Sequence, residues 1–313
     1  ASPVDAALHD AYGRVHGIST YGAYGPDFWA GDLSRYLGEG FQGLRPSNFL
    51  AREPAPQLPV FHLVGGADKL TNAELDGTDP KDGRPVSLEQ WIERDGVYCF
   101  KVMLTGTEIG ADVERTADVA NVARESLGQQ GIDRFYLSTD SNEMCPSPEA
   151  VVEYLEKLRE EYPDAYDALL YVEQPTERDL RRNNYDMNTV AARKPVLADE
   201  GIKTMEDMRL ARELGWSGVA LKTCKGHTSA LLCVAAAEKW GMSYSMQDLT
   251  NPGLSLVHSV GFAARIDPIM GVEANARQFL EDPEMGMTGH GEVFAPVEGV
   301  IGTETMHGLG LGY

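Results

Sequence analysis

The strongest constraint on the fold is an alternation of eight short apolar runs with amphipathic stretches of helical spacing, from about residue 59 onward. Apolar runs of this kind are typical of parallel strands that are buried on both faces. Alternating strands and helices over this length indicate either a closed barrel or a doubly wound sheet, and eight units favour an α/β protein of the (β/α)₈ TIM-barrel type. The runs are PVFHLV, VYCFKVML, RFYLSTD, ALLYVEQP, PVLADEG, WSGVALKTCKG, MSYSMQD and IMGVEANARQF.

Two regions lie outside this repeat. Residues 24–58 are rich in Gly, Pro and aromatic residues, and we expect them to form an insertion with one short helix. Residues 281–313 are rich in Gly and show little periodicity. The sequence therefore predicts a barrel domain over 1–280 that carries the insertion, and a C-terminal tail over 281–313 that packs on the barrel or on a cap.

The net charge of −21, from 27 basic and 48 acidic residues, restricts the possible partners. A surface this acidic repels phosphate backbones and anionic membranes, so we expect a small-molecule substrate and neither nucleic acid nor membrane as a partner. The four cysteines have no CxxC spacing, which suits a reducing cytoplasm. No apolar run approaches the roughly 18 residues that a membrane span needs.

Acidic residues stand where three consecutive strand candidates end. Asp140 ends the third run and Glu173 lies near the end of the fourth, while Asp199 and Glu200 end the fifth. Strand ends converge at one mouth of a barrel, where carboxylates without a counterion repel one another and favour protonation. A hard divalent cation such as Mg²⁺ removes that conflict. The alternative is that each acid caps the helix that follows its strand.

Lysines lie at or near the ends of two other strands. Lys222 follows the apolar run of strand six, Lys225 comes three residues later, and Lys101 lies within strand two. A lysine without a partner in an apolar strand is costly, so Lys101 favours a site role, whereas Lys225 suits a surface turn. Lysines near a metal at the barrel mouth can have pKa values depressed toward working pH. Lys222 is therefore a candidate general base for a carbon acid.

Six strand-end motifs resemble, in order and spacing, those of the enolase superfamily, in its mandelate racemase and muconate lactonizing enzyme branch. The resemblance runs from about residue 2 to residue 280. It implies a (β/α)₈ barrel and a Mg²⁺-dependent enzyme that removes the proton α to a substrate carboxylate. The motifs are FKVML, STDSN, YVEQP, LADEG, LKTCKG and GVEANARQF.

This resemblance implies roles for individual residues. Glu200 follows the third metal-ligand position directly and is a second candidate for it. Lys222 matches the lysine that serves as acid and base at the end of strand six, and Glu273 matches an acidic position at the end of strand eight. Lys101 is expected to help stabilise the enediolate intermediate. Three acids match the metal-ligand positions: Asp140, Glu173 and Asp199.

The sequence departs from the branch pattern in strand two. The usual motif there is Lys-x-Lys with the second lysine as a base, but Met103 stands at that position, two residues after Lys101. A thioether accepts no proton, so a two-base racemisation lacks one base. Strand seven has no histidine base and ends in Asp248. Lys222 is then the best remaining base.

A second departure concerns the N-terminal capping domain that members of the branch carry. The chain begins about where that domain would end, and we expect that the domain was removed rather than replaced by the insertion and the tail. Family likeness also favours a homo-oligomer.

These features predict a lyase of the acid-sugar dehydratase type as the first expectation. One alternative is a racemase, epimerase or cycloisomerase of the same superfamily. Another is a catalytically inactive relative that keeps the fold and the metal site, which Met103 favours. A metal-dependent barrel enzyme of another kind, such as an aldolase, also remains open.

Several side chains have a structural interpretation beside the functional one. Glu273 could form an ion pair with Arg277 instead of serving the site. The histidines show no spacing that indicates a cluster, and each is predicted to be a packing or surface residue, although His227, just after the lysines of strand six, is the one exception worth testing for a site role. These histidines are His9, His62, His227 and His258.

Overall fold

A computed structural model describes residues 2–313 and contains a closed barrel of eight parallel strands in chain order. Each strand pairs with the next, and the first strand pairs with both the second and the eighth. The predicted (β/α)₈ barrel is therefore confirmed, and the doubly wound sheet is excluded. The strands are β1 (Gln57–Val64), β2 (Cys99–Met103), β3 (Tyr136–Asp140), β4 (Leu169–Glu173), β5 (Val196–Ala198), β6 (Gly218–Leu221), β7 (Ser243–Met246), β8 (Val272–Glu273) and β9 (Val300–Gly302).

At least one helix lies between each pair of consecutive barrel strands, as the sequence pattern predicts. Within residues 2–313, no helix combines the length and the apolar character that crossing a membrane requires. The helices are α1 (Ser2–His16), α2 (Ser34–Leu37), α3 (Leu88–Asp95), α4 (Ile109–Gln129), α5 (Pro148–Glu161), α6 (Pro163–Ala168), α7 (Asn188–Ala191), α8 (Met205–Glu213), α9 (His227–Trp240), α10 (Leu254–Ala263), α11 (Ala276–Phe279) and α12 (Gly291–Phe294). Short 3₁₀ turns are Thr20–Tyr24, Glu39–Phe41, Pro46–Asn48, Asn72–Glu74 and Thr223–Lys225.

Local sequence signals explain where these helices begin and end. The Ser87 hydroxyl caps α3 by accepting a hydrogen bond from the Gln90 backbone N–H at 3.3 Å. Gly96 ends the same helix in the left-handed region, with φ of 64°. Thr204 and Asp207 form a capping box at the start of α8. Such caps satisfy the backbone groups that a helix leaves without partners in its first and last turns.

The two regions outside the repeat pack against the barrel. Residues 24–58 contain α2 and bury Leu37 and Phe41 in the hydrophobic core. In the tail, β9 runs antiparallel to the start of β1, with Gly302 opposite Gln57. The tail therefore extends the sheet at the N-terminal end of the barrel strands, away from the mouth where those strands end.

Strand register sets the level of the side chains at the mouth. Met103 pairs with Asp140, and Asp140 pairs with Glu173. The partner of Glu173 on β5 lies two residues before Asp199, so Asp199 stands further toward the mouth. Side chains alternate between the two faces of a strand, so Lys101 and Met103 belong to the same face of β2. The fold thus gathers the strand-end residues of β2 to β5 on one side of the mouth.

Candidate active site

Lys101 lies at the centre of a buried carboxylate cluster. Its Nζ is 2.9 Å from Asp140 Oδ2, 2.9 Å from Glu173 Oε1 and 3.3 Å from Glu273 Oε2. All four side chains are 7% exposed or less. Strands β2, β3, β4 and β8 therefore meet at one ammonium group, and four of the predicted site residues are in direct contact.

Asp199 forms a second group with two lysines of the β6 end. Lys222 Nζ makes an ion pair with Asp199 Oδ2, and both side chains are buried. Lys225 Nζ lies 2.7 Å from Asp199 Oδ1 and donates to the Asp199 carbonyl at 2.9 Å. Lys225, predicted to lie in a surface turn, thus also contacts the site. Glu200 is only partly buried, and among residues 2–313 no lysine or arginine lies within ion-pair distance of it.

Glu173 is a strongly perturbed acid of the site. Its side chain is completely buried, and burial raises its pKa to about 8. The charge of Lys101 opposes this shift, whereas the charges of Asp140 and Asp199 add to it. A fully buried carboxyl with two like-charged neighbours favours a proton or a cation at this position.

The carboxylates of the site raise the pKa values of its two buried lysines. Burial alone would lower the pKa of Lys222, but the charges of Asp199 and Glu173 outweigh it and raise the pKa above its usual value. The same competition raises the pKa of Lys101 well above its usual value. In this arrangement each ammonium has carboxylates in direct contact, so a depressed lysine pKa beside a bound metal stays a prediction.

Three amide side chains that the sequence did not single out hold the acids in place. Gln247 Nε2, at the end of β7, donates to Glu173 Oε2. Asn275 Nδ2 donates to Glu273 Oε1. Gln174 Oε1 accepts the backbone N–H of Asp199 at 2.8 Å. All three amides directly follow or lie close to strand ends, so the rule that selected the acids could also have selected them.

Asp248, the acid at the end of β7, is buried beside Asn275. It accepts the backbone N–H of Asn275 at 3.0 Å and that of Thr250 at 2.9 Å. Burial, with a smaller contribution from the charge of Glu273, raises its pKa to about 7. Asp248 therefore holds a proton close to neutral pH.

Arg277 does not pair with Glu273. Its Nη1 lies 2.7 Å from Asp95 Oδ2, and its Nη2 lies 3.1 Å from His62 Nδ1. This group packs against Trp91, with the guanidinium 5.0 Å from the ring centroid. Glu273 contacts Lys101 instead. The predicted alternative, an ion pair between Glu273 and Arg277, is therefore wrong.

The sequence spacing gave no indication of a histidine cluster, but three of the histidines pack together in the structure. His227 stacks on His258 with a centroid distance of 5.1 Å, and His9 lies 4.6 Å from His227. His62 lies apart from them, next to Arg277. The three clustered histidines come from α1, α9 and α10, so only the tertiary packing brings them together.

The acids fit Mg²⁺ by their chemistry. Asp140, Glu173 and Asp199 offer carboxylate oxygens only, which hard divalent cations prefer. Glu173 also has the charge environment that a cation would relieve. In the structure, lysine ammonium groups contact these oxygens. Across residues 2–313, no three His, Cys, Asp or Glu side chains are arranged around a common point as metal ligands.

Comparison with known proteins identifies the family. Residues 86–313 match the family model described as enolase C-terminal domain-like. No curated protein sequence matches the chain.

Solved structures share the fold at low sequence identity. The dipeptide epimerase from Enterococcus faecalis V583 has 19% identity and a TM-score of 0.64, over 99% of this chain and 72% of its own. A muconate lactonizing enzyme from Klebsiella pneumoniae has 19% identity and a TM-score of 0.61, over 97% and 69%. The N-succinyl Arg/Lys racemase from Bacillus cereus ATCC 14579 has 20% identity and a TM-score of 0.60, over 85% and 63%.

Proposed function

The chain belongs to the family of enolase C-terminal domain-like proteins, and from this premise we propose that it is a Mg²⁺-dependent enzyme that removes the proton α to a substrate carboxylate. The observation that carries the proposal is the single buried lysine at the end of β6, in contact with one of three acids from consecutive strands. We assign Lys222 as the base.

The order of the strands supports this assignment. In a closed barrel of eight strands, β2 and β6 face each other, and the acids of β3, β4 and β5 lie on the arc between them. A substrate above these acids has the Lys222 amine on its β6 side. On its β2 side it has the Met103 thioether, which accepts no proton. The site therefore offers one base, on one face.

The proposed Mg²⁺ would be held by Asp140, Glu173 and Asp199. When bound, it would supply positive charge that stabilises the enediolate. The epimerase from Enterococcus faecalis was solved with Mg and the dipeptide L-Leu-L-Tyr, which supports a metal and a small carboxylate ligand in this fold.

Lys101 and Glu273 set the charge around the substrate carboxylate, and burial influences the protonation of Lys222. Lys101, with its pKa well above the usual value, stays protonated and adds positive charge beneath the substrate carboxylate. Glu273 fixes the Lys101 ammonium from the β8 side at 3.3 Å. Burial of Lys222 favours its neutral, proton-accepting form once the charges of Asp199 and Glu173 are balanced.

The reaction class is better described as an isomerisation than as the dehydration that the sequence first predicts. The reported neighbours are named as an epimerase, a lactonizing enzyme and a racemase, so they support the isomerase alternative. Racemisation through opposite faces needs a base on each face, and Met103 removes one of them. We therefore propose a one-base isomerisation, of the cycloisomerase kind.

The test is solvent deuterium exchange at the α carbon, followed by NMR in the presence of Mg²⁺. The panel comprises dipeptides such as L-Leu-L-Tyr, N-succinylated amino acids, muconate-derived lactones and acid sugars. We expect exchange with retained configuration for at least one class, and a loss of about 100-fold or more in Lys222→Ala. The control is Lys239→Ala, on the exposed face of α9. Exchange that survives in Lys222→Ala would refute the base, and no exchange anywhere in the panel would support an inactive relative.

A further inference from the structure

Three buried side chains and the partly buried His9, all outside the proposed active site, form one continuous chain of hydrogen bonds. Tyr24 Oη lies 2.7 Å from His9 Nδ1 and 2.8 Å from His227 Nε2. His227 Nδ1 lies 2.9 Å from His258 Nε2. The chain links α1 to α9 and α10 through the 3₁₀ turn that contains Tyr24. We call these four side chains the relay.

The proton positions at one end of the relay follow from Asp5. Its carboxylate only accepts, so the Thr228 hydroxyl, 2.6 Å away, donates its single proton to it. The Thr228 oxygen is then an acceptor for His9 Nε2 at 2.9 Å. A neutral His9 that donates from Nε2 has a bare Nδ1, which must accept from the Tyr24 hydroxyl.

The remaining positions follow in the same direction. The Tyr24 proton is used on His9, so the Tyr24 oxygen accepts from His227 Nε2–H. His227 Nδ1 is then bare and accepts from His258 Nε2–H. His258 Nδ1 is left without a proton, and within residues 2–313 the His258 ring makes its one hydrogen bond through Nε2. The geometry thus selects the Nε2–H tautomer for all three histidines.

Each end of the relay borders a cavity. His258 lines a cavity of about 460 Å³ with Thr223 and Cys224, just after the proposed base on β6. His9 and Tyr24 line a second cavity of about 420 Å³. Water in either cavity can therefore reach one end of the relay without opening the fold.

The relay can take up one proton with every hydrogen bond preserved. A proton added at His258 Nδ1 leaves the existing bonds unchanged. If all the bonds reverse, the same extra proton resides on His9, whose Nε2 lies 3.7 Å from the Asp5 carboxylate. A second proton makes imidazolium ions of both His9 and His258. The Tyr24 oxygen then accepts from His9 Nδ1–H and His227 Nε2–H, its own buried hydroxyl proton loses its acceptor, and two positive charges share the cluster.

We propose that the relay is an acid-sensitive latch that holds helix α1 against α9 and α10, stays closed with zero or one extra proton, and opens with the second. Burial lowers the pKa of His9, His227 and His258, that of His258 to about 4, which keeps all three neutral at pH 7. The other titratable or charged groups around the relay are Asp5, Asp10 and Arg14 of α1, Tyr21, Cys224, Arg265 and Tyr313.

The first test reads the tautomers directly by ¹⁵N NMR of the imidazole nitrogens in the wild-type protein at pH 7. We expect the Nε2–H form for His9, His227 and His258. An Nδ1–H form at His227 or His258 would overturn the proposed proton order. This measurement needs no variant, so it stands even if a substitution prevents folding.

The second test follows amide hydrogen exchange of α1 from pH 7 to pH 4, corrected for intrinsic exchange, with α4 as the internal reference. We expect protection in α1 to fall at least tenfold over the range in which the histidines titrate, while α4 stays protected. Tyr24→Phe should lower α1 protection at least tenfold already at pH 7, whereas the exposed Tyr36→Phe should not. Parallel loss of protection in α1 and α4, or an α1 that ignores the histidine titration, would overturn the latch.

Discussion

Lys101 joins three buried carboxylates, and we expect Lys101→Met to destabilise the protein by about 3–5 kcal/mol at pH 8. The cost arises because the substitution leaves Asp140, Glu173 and Glu273 in a buried cluster without their shared counterion. Methionine is close to lysine in length and is apolar, so the substitution leaves little empty space. The loss of unfolding free energy therefore measures the missing charge more than a cavity.

The size of this loss depends on pH because the acids can take up protons. The pKa of Glu173 is about 8 even beside Lys101, so at pH 7 this carboxyl adds little repulsion. Without Lys101, protons taken up by the buried cluster at low pH relieve the repulsion among its carboxylates. The difference from wild type should therefore shrink by about half at pH 5.

Urea unfolding followed by circular dichroism, at pH 5 and pH 8, measures both effects. Thermal unfolding should show a fall in Tm of about 5–8 °C at pH 8. The matched control is Lys157→Met on α5, whose Nζ is 3.4 Å from Glu153 on an exposed surface, where a pair contributes at most about 1 kcal/mol. A Lys101→Met protein as stable as this control at pH 8 would refute the view that Lys101 neutralises the cluster.

Three further predictions concern the metal, the second face and the acid of β7. Calorimetric titration should show Mg²⁺ binding to the wild type and to the surface variant Glu149→Gln, but at least about 100-fold weaker binding to Glu173→Gln; equal affinities would rule out Glu173 as a ligand. Met103→Lys should add a base opposite Lys222 and increase inversion at the α carbon at least tenfold in chiral assays. Exchange that still proceeds only with retained configuration would contradict the placement of residues 103 and 222 on opposite faces of the substrate. Asp248→Asn removes a carboxyl whose raised pKa, about 7, costs the folded state about 3 kcal/mol as the pH rises from 4 to 7. The stability of the variant should therefore fall less than that of wild type between pH 5 and 8, and identical pH slopes in urea titrations would contradict the burial of a proton at Asp248.

The barrel and the positions of its acids could be predicted because both follow from local patterns. Apolar runs that alternate with amphipathic helices leave few topologies, and parallel strands bring their ends to one mouth whatever the details of packing. Asp140 and Glu173 end adjacent strands in register, so their proximity was fixed once those strands were recognised.

The histidine relay could not be predicted in this way. His9 and His227 are separated by more than 200 residues, and their contact depends on how α1 packs against α9. No periodicity encodes that packing, because α1 precedes the first strand and is outside the repeat. Sequence spacing therefore finds clusters that the barrel imposes and misses those that peripheral helices create.

The protonation states of the lysines at the barrel mouth could not be predicted from residue types alone either. Burial lowers the pKa of a lysine and nearby carboxylates raise it, so the sign depends on distances that the sequence does not contain. In the structure the carboxylates prevail at Lys222, which leaves this amine protonated beside Asp199. Lys222 can act as a base only when another cation balances Asp199. The proposed metal and base are therefore coupled through one carboxylate, so loss of Mg²⁺ should abolish exchange even if substrate still binds.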